Sequence, residues 1–328
     1  MNCGIAISWR GATIEATREI CIAADRLGFQ YLWITEAWGL EALTTTGYLL
    51  GLSNQIKIGA GVLNVYSRSA ALIGMACATL DQISAGRFLL GLGTSGRTLV
   101  EHWHGVKFES PNIRVREYME VIRRVLRGEN VEFDGEAMKL SGFKLYSKPS
   151  KEQEIYLGAM GDRNLRLAGE ICEGAIVTMY PLSKLHHASE LVNGKSNGRK
   201  KKIFSYLQLR VTANADEIEK ARREVAKNIA FYVASMGTYY AKNLAKLGFA
   251  SEVKKITEAH SAGGSKRATE EVDDALIDEL SVIGSLAEIK EKLCKIPDTV
   301  IPVFVVDAPP SLKISDLHLD QLKLVLQR

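Results

Sequence analysis

Short apolar runs alternate with helix-period segments from the first residues onward, and no other feature of the chain limits its fold as much. Parallel neighbouring strands need a crossover between them, and an amphipathic helix supplies one. The runs read as strands at Cys3 to Ser8, Tyr31 to Ile34, Ile56 to Val62, Phe88 to Gly93, Glu154 to Gly158, Gly174 to Thr178, Lys202 to Val211 and Val300 to Val306. Helices are expected at Thr13 to Leu27, Leu40 to Leu52, Ala70 to Ser84, Ile113 to Arg127, Arg163 to Glu170, Ser183 to Val192 and Ile314 to Leu326, with a short helical piece at Leu99 to Trp103. In the first helix Ile14, Ile20, Ala23, Ala24 and Leu27 share a face, Thr13 offers an N-cap, and Gly28 suits the residue after the end.

Two segments leave the alternation. Val131 to Leu145, with its Asp134-Gly135 turn, reads as an inserted hairpin. Asp216 to Leu293 is far longer than a connecting helix, so it reads as an inserted helical subdomain. Eight strands in strict alternation predict a closed (β/α)8 TIM barrel over an open doubly wound sheet. The expectation is an α/β chain of 328 residues forming a single domain, with a helical insertion at about 216–293 before the last strand.

Composition adds boundaries. With 46% hydrophobic and 24% charged residues the chain is of ordinary globular type. Its 42 basic and 38 acidic residues are interspersed, and no nucleic-acid module accompanies them. The one basic run, Gly198-Arg199-Lys200-Lys201-Lys202, reads as a solvated edge before a strand. Five cysteines, Cys3, Cys21, Cys77, Cys172 and Cys294, lack CxxC spacing, and four lie in apolar patterns. Reduced thiols in a cytoplasmic protein are expected, with neither disulfides nor zinc. Glu132, Asp134 and Glu136 cluster on the hairpin without metal-ligand spacing and read as solvated surface. The opening residues begin a strand in place of a charged leader, and no membrane segment is expected.

In a barrel of this kind the chemistry sits on the loops that follow the strands. Three consecutive strand ends are rich in glycine: Gly59-Ala60-Gly61-Val62-Leu63-Asn64, Gly91-Leu92-Gly93-Thr94-Ser95-Gly96 and Gly158-Ala159-Met160-Gly161. Glycine lets backbone approach a flat ring or a phosphate, and the third cluster runs into a helix whose free N–H groups suit an anion. The second spells GxGxxG, yet its first glycines lie inside a strand and no acidic residue follows at the dinucleotide spacing, so a nicotinamide site is not expected.

These clusters, with Arg68, the run Thr79-Leu80-Asp81-Gln82-Ile83-Ser84-Ala85-Gly86-Arg87, Arg116-Glu117-Tyr118 and Leu280-Ser281-Val282-Ile283-Gly284, resemble the luciferase-like monooxygenase family. Within it the chain is similar to the F420-dependent oxidoreductase branch that includes methylenetetrahydromethanopterin reductase. The resemblance implies a bacterial-luciferase-like barrel, a homodimer built around the early helices, and a small-molecule substrate exchanging hydride with coenzyme F420, the alternative being FMN in a two-component monooxygenase. A non-catalytic flavin-binding relative is a third reading. The resemblance further implies a non-prolyl cis peptide at Gly61-Val62 that bulges the third strand behind the ring. Asn64, Thr94 and Ser95 would border the ring or its ribityl chain, Ala159, Met160 and Gly161 would receive the phosphate, and Glu36 would contact the coenzyme. Ala6 stands where the reductases carry a glutamate, and Glu36-Ala37 where sugar-phosphate dehydrogenases of the family carry Asp-His, so neither acid/base set is intact.

Acid/base candidates remain in His102 and His104, after the fourth strand, and in Glu36. Each histidine could instead cap a helix or face solvent. His186, His187, His260 and His318 fall on outer segments and read as structural or solvated. Trp38 could wall the pocket, whereas Trp33 belongs to the core. Asp81 and Arg87, at the opposite barrel face, read as a structural ion pair. The face carrying Ile73, Ala76 and Leu80 could serve a dimer interface or the core.

Overall fold

The computed structural model describes residues 2–194 and 200–326. Eight parallel strands close into a barrel: β1 (Gly4–Ile7), β2 (Tyr31–Ile34), β3 (Lys57–Asn64), β4 (Phe88–Gly93), β7 (Ile155–Gly158), β8 (Gly174–Thr178), β9 (Lys202–Val211) and β11 (Val300–Val306). Each pairs with the next, β8 pairs with β9, and β11 returns to β1, so no barrel edge is left open. The crossover helices are α1 (Ile14–Arg26), α2 (Ala42–Leu52), α3 (Ala70–Ser84), α4 (Pro111–Leu126), α5 (Asp162–Ile171) and α6 (Leu185–Asn193). Thr13 caps α1 through its side chain, and Pro111 opens α4, where a missing N–H costs nothing. The hairpin lies between α4 and β7 as β5 (Asn130–Asp134) and β6 (Lys139–Lys144). The Glu117 carboxylate clasps its turn by accepting the Glu136, Ala137 and Met138 N–H groups.

The stretch after β9 departs from the expected all-helical insertion. It folds as α7 (Ala215–Ala234), α8 (Tyr239–Leu244), α9 (Ala250–Glu270) and α10 (Asp274–Leu280), then turns into a strand, β10 (Ser281–Gly284), before α11 (Leu286–Cys294). β10 pairs in parallel with the last four residues of β9, whose first half pairs with β11. Four residues bounded by helical patterns carry too little periodicity to be read as a strand. The final helix is also shorter than expected. His318 adopts a left-handed conformation (φ 48°) and splits a one-turn helix at Ile314–Leu317 from α12 (Leu319–Leu326).

The barrel lumen is filled by Tyr31, Trp33, Tyr156 and Phe204, whose rings meet edge to face at centroid distances of 4.9–5.9 Å, with Ala6, Leu89, Ile301 and Val303 beside them. A second apolar layer separates the strands from the surrounding helices, and a third core lies within the insertion, around Val225, Ile229, Ile256 and Leu276. Ile73 and Leu80 are buried in the second layer, so that face of α3 is core and not interface.

The run around Arg87 ties together the barrel's N-terminal face, and the expected Asp81–Arg87 ion pair does not form. The Arg87 guanidinium instead donates to Leu50 O, Ser53 O, Ser53 Oγ and Ile56 O at 2.9–3.0 Å, while Asp81 accepts the Ser150 N–H. Asp25 completes the clamp on the loop before β3 by accepting the Asn54, Gln55 and Ile56 N–H groups. Within the basic run Lys200 is exposed, as expected of a solvated edge, but Lys201 is structural: its Nζ donates to Gly169 O and Cys172 O. Gly198 and Arg199 lie outside the described residues. Cys3, Cys21, Cys77 and Cys172 are free and buried, and Cys294 is free and exposed. Burial raises the thiols of Cys3 to about 11 and of Cys21 and Cys172 to about 12.

Glu154 anchors the floor of the lumen. It binds Lys57 Nζ at 2.5 Å and the Tyr156 hydroxyl at 2.6 Å, with Lys202 at 3.7 Å. Burial pushes its carboxyl up, but the bonds from Lys57 and Tyr156 and the charge of Lys202 outweigh burial and hold it down to about 2. Its contribution to stability is therefore complete above the ordinary carboxylate value of 4.5 and is lost as pH falls toward about 2. Glu154→Gln should lower the unfolding free energy at pH 7 by on the order of 1–3 kcal/mol. In urea titrations the gap between parent and variant should narrow from pH 5 to pH 3; a gap independent of pH would refute the assignment.

Candidate active site

A cavity of about 720 Å³ opens at the C-terminal ends of the strands, between the barrel and the insertion. The loops after β1, β2, β3, β4, β7 and β8 line one side, and α7 and α8 line the other. Its floor is set by a break in β3. The Gly61-Val62 peptide is cis, as the resemblance implied, and the β3–β4 register shifts between Ala60 and Leu63. The bulge puts the Val62 side chain against the backbone of three glycines. A Cβ on Gly93 would stand 2.9 Å from Val62 Cγ2, one on Gly91 3.0 Å from Cγ1, and one on Gly158 3.3 Å from Cγ2. Gly59 makes room for the Trp33 indole in the same way, and a Cβ on Gly61 would run into the Tyr206 hydroxyl. The glycines, expected to admit a ring or a phosphate, first of all admit the protein's own side chains. Tyr206, which burial keeps protonated, donates to Gly61 O at 3.4 Å.

One wall is aromatic. Trp38 meets Trp9 edge-on at 5.0 Å and lies nearly parallel to Trp103 at 6.0 Å, and Trp103 stacks on His104 at 4.9 Å. Trp38 and Trp103 are each about half exposed, at 51% and 47%, unusual for indoles without a ligand to cover them. Trp103 and His104 come from a π-helical turn, Leu99–Trp103, and the residue after it. Across the cavity stand Gln208 of β9 and Asn228, Tyr232, Tyr239 and Tyr240 of the insertion. Nothing in the sequence singled out Trp9 or these insertion residues, because their partners are distant in the chain.

At one end of the cavity α5 begins at Gly161, which has no side-chain cap. The Asp162 carboxylate is turned toward His187 (3.2 Å) and Arg166 (4.0 Å). Two buried polar atoms near this helix start, the Tyr180 hydroxyl and Asn243 Nδ2, have no partner among the described residues. Asn243 Oδ1 lies 3.7 Å from where a Cβ on Gly161 would stand. Uncapped N–H groups with idle donors beside them fit a phosphate.

Glu36, Gly61, Val62, Asn64, Thr94, Ser95, Ala159, Met160 and His104 all line the cavity, whereas Gly161 starts α5 at its edge. His102 is exposed and does not line it, since residues two apart on a helical turn face different sides. Glu36 is committed to the protein: its oxygens accept Arg68 Nη1 at 2.8 Å and Nη2 at 2.7 Å, and also the Ala42 N–H at 3.0 Å. Arg68 is paired with Glu41 as well. Burial works against the Arg68 charge, but Glu36 and Glu41 outweigh it; burial likewise pushes the Glu41 carboxyl up, but the Thr44 side chain, the Thr44 and Leu43 N–H groups and Arg68 together hold it below its usual value. The Tyr118 hydroxyl donates to Arg68 O and fixes the same corner from α4.

The sequence profile of the luciferase-like monooxygenase family matches residues 1–301. The chain belongs to that family. Among similar luciferase-like proteins, one from Mycobacterium tuberculosis, provisionally named a coenzyme F420-dependent oxidoreductase, is 26% identical over 97% of this chain and 98% of its own. The 5,10-methylenetetrahydromethanopterin reductase of Archaeoglobus fulgidus is 30% identical over 87% of each chain. The solved coenzyme F420 dependent tetrahydromethanopterin reductase of Methanopyrus kandleri superposes with a TM-score of 0.81, at 22% identity and 98% coverage of both chains. The expected luciferase-like (β/α)8 barrel is the observed fold, and with these relatives the expectation of an oxidoreductase holds.

Arg68→Met would leave Glu36 with the Ala42 N–H alone. This luciferase-like barrel should then lose about 1–3 kcal/mol in chemical unfolding, with part restored in the double variant Arg68→Met/Glu36→Gln. Strict additivity of the two single losses would show that the pair is not coupled.

Proposed function

We propose that the protein is an F420-dependent oxidoreductase that passes hydride between the deazaflavin and a small organic substrate, of the kind a methylenetetrahydromethanopterin reductase uses. The observation that carries this reading is the Val62 bulge, seated among Gly91, Gly93 and Gly158 at the floor of a cavity that ends at the uncapped start of α5. When bound, a deazaflavin supplies a carbon centre that carries hydride and reacts poorly with oxygen. Val62, Met160 and Ile176 would hold its ring, Thr94 and Ser95 its polar chain, and the α5 start with Tyr180 and Asn243 its phosphate. Trp38 and Trp103 would take a flat, pterin-like substrate and exclude water, and His104 is the polar side chain that would meet it. Glu36, braced by Arg68, would border the coenzyme. The barrel and its insertion would work as one domain.

Purified protein titrated with F420 should quench the coenzyme's fluorescence saturably. Tight FMN binding with FMN-dependent oxygen consumption would favour the monooxygenase reading instead. His104→Ala should lower turnover by about 10²-fold or more while F420 affinity stays within about twofold.

We further propose a cytoplasmic homodimer. Four buried free thiols suit a reducing compartment, and among the described residues no helix is long and apolar enough to cross a membrane. Tyr48 and Leu52 of α2 and Leu72, Met75 and Ile83 of α3 are all at least 43% exposed, a cluster that a second copy would cover. Light scattering should read twice the chain mass, and a monomer would end this proposal.

A further inference from the structure

Backbone geometry fixes the side-chain amide of Asn64. Its Oδ1 lies 2.9 Å from the Tyr66 backbone N–H, a group that can only donate, so the oxygen must face it. Nδ2 is then the atom 3.0 Å from His104 Nε2. An amide NH2 can only donate too, so Nε2 must offer its lone pair. A proton on Nε2 would set donor against donor, and the amide cannot flip without stranding the Tyr66 N–H. The Trp103 ring, 4.9 Å away and tilted by 23°, holds the imidazole from its face.

We propose that Asn64 is a positioning residue that keeps His104 as the neutral tautomer protonated at Nδ1. The sole N–H of the ring then has no protein acceptor among the described residues, on a side chain that lines the cavity. The charged groups nearby are spent on one another: Arg97 with Glu101 and Lys107 with Glu109 on the same loop, and Arg68 with Glu36 on the β2 side of the cavity. Among the described residues no carboxylate is bonded to His104. A neutral imidazole N–H polarises an acceptor without giving up its proton outright. The substrate class this favours carries a carbonyl or imine whose own carbon takes the hydride: the C=O or C=N electron pair moves onto the oxygen or nitrogen, the His104 N–H stabilises it there, and solvent water supplies the proton that completes the product. That last step rests on the cavity being a hydride-transfer site; the tautomer does not.

The test uses protein labelled with ¹⁵N-histidine and free of coenzyme, read by long-range ¹H–¹⁵N correlation above neutral pH. His104 is assigned as the one of six histidines whose signals vanish in His104→Ala. It should show an unprotonated Nε2 and a protonated Nδ1. Asn64→Asp keeps an acceptor for the Tyr66 N–H but presents a carboxylate oxygen to Nε2, so Nε2 should become protonated. In that variant turnover at saturating F420 should fall by about tenfold or more. A parent spectrum with Nε2 protonated, or one that Asn64→Asp leaves unchanged, would overturn the proposal. Failure of F420 to bind, with the tautomer as stated, would count against the coenzyme reading alone.

Discussion

Everything at the open end of this barrel depends on an exchange of volume between glycines and bulky side chains. Tyr31, Trp33, Tyr156 and Phe204 plug the lumen, and the plug is possible because Gly59 and Gly61 give their Cβ space to Trp33 and Tyr206. Above it, Val62 occupies the space of three further Cβ atoms, those of Gly91, Gly93 and Gly158. Protein interiors are packed too densely to absorb even a methyl group at such contacts without movement. The cavity is therefore confined to the C-terminal end of the strands, and its floor is built from side chains that cannot be enlarged.

The polar chemistry is arranged around that floor by pairs instead of single residues. Arg68 is held by Glu36, Glu41 and Tyr118, and it in turn holds Glu36 at the cavity edge. Tyr66 orients Asn64, and Asn64 orients His104. Paired groups in a partly desolvated site keep their protonation states, because changing one strands its partner. With the small apolar Ala6 in the lumen, this barrel still has a polar group with a defined proton at the cavity wall.

The barrel could be read from the sequence because each strand and helix carries its own periodicity, and the cis bulge because Gly61-Val62 sits inside a run that resembles the family's. β10 could not, since its four residues become a strand only through pairing with the far half of β9. The Asp81–Arg87 pairing failed for a related reason. Closeness in sequence suggested a contact, whereas Arg87 reaches back to carbonyls at the end of α2, which only the folded chain brings near. His102 and His104 looked equivalent until a helical turn separated their directions. Trp9, Tyr232 and Tyr239 carried no local mark at all, because what makes them part of a site is the insertion folding back over the barrel mouth.

β9 belongs to two ladders at once, the barrel wall through β11 and the insertion through β10. The insertion is thereby spliced into the sheet, and its side of the cavity is a continuation of the barrel's own hydrogen-bonded fabric. The opposite side is a loop bounded by Gly96 and by Gly105, whose φ of 64° only glycine adopts readily, and it carries Trp103 and His104 between them. The two jaws of the entrance thus differ in kind. The first is held by a strand ladder, and the second by Val100 buried in the core and by the Asn64–His104 contact, so one jaw is fixed by backbone and the other by side chains.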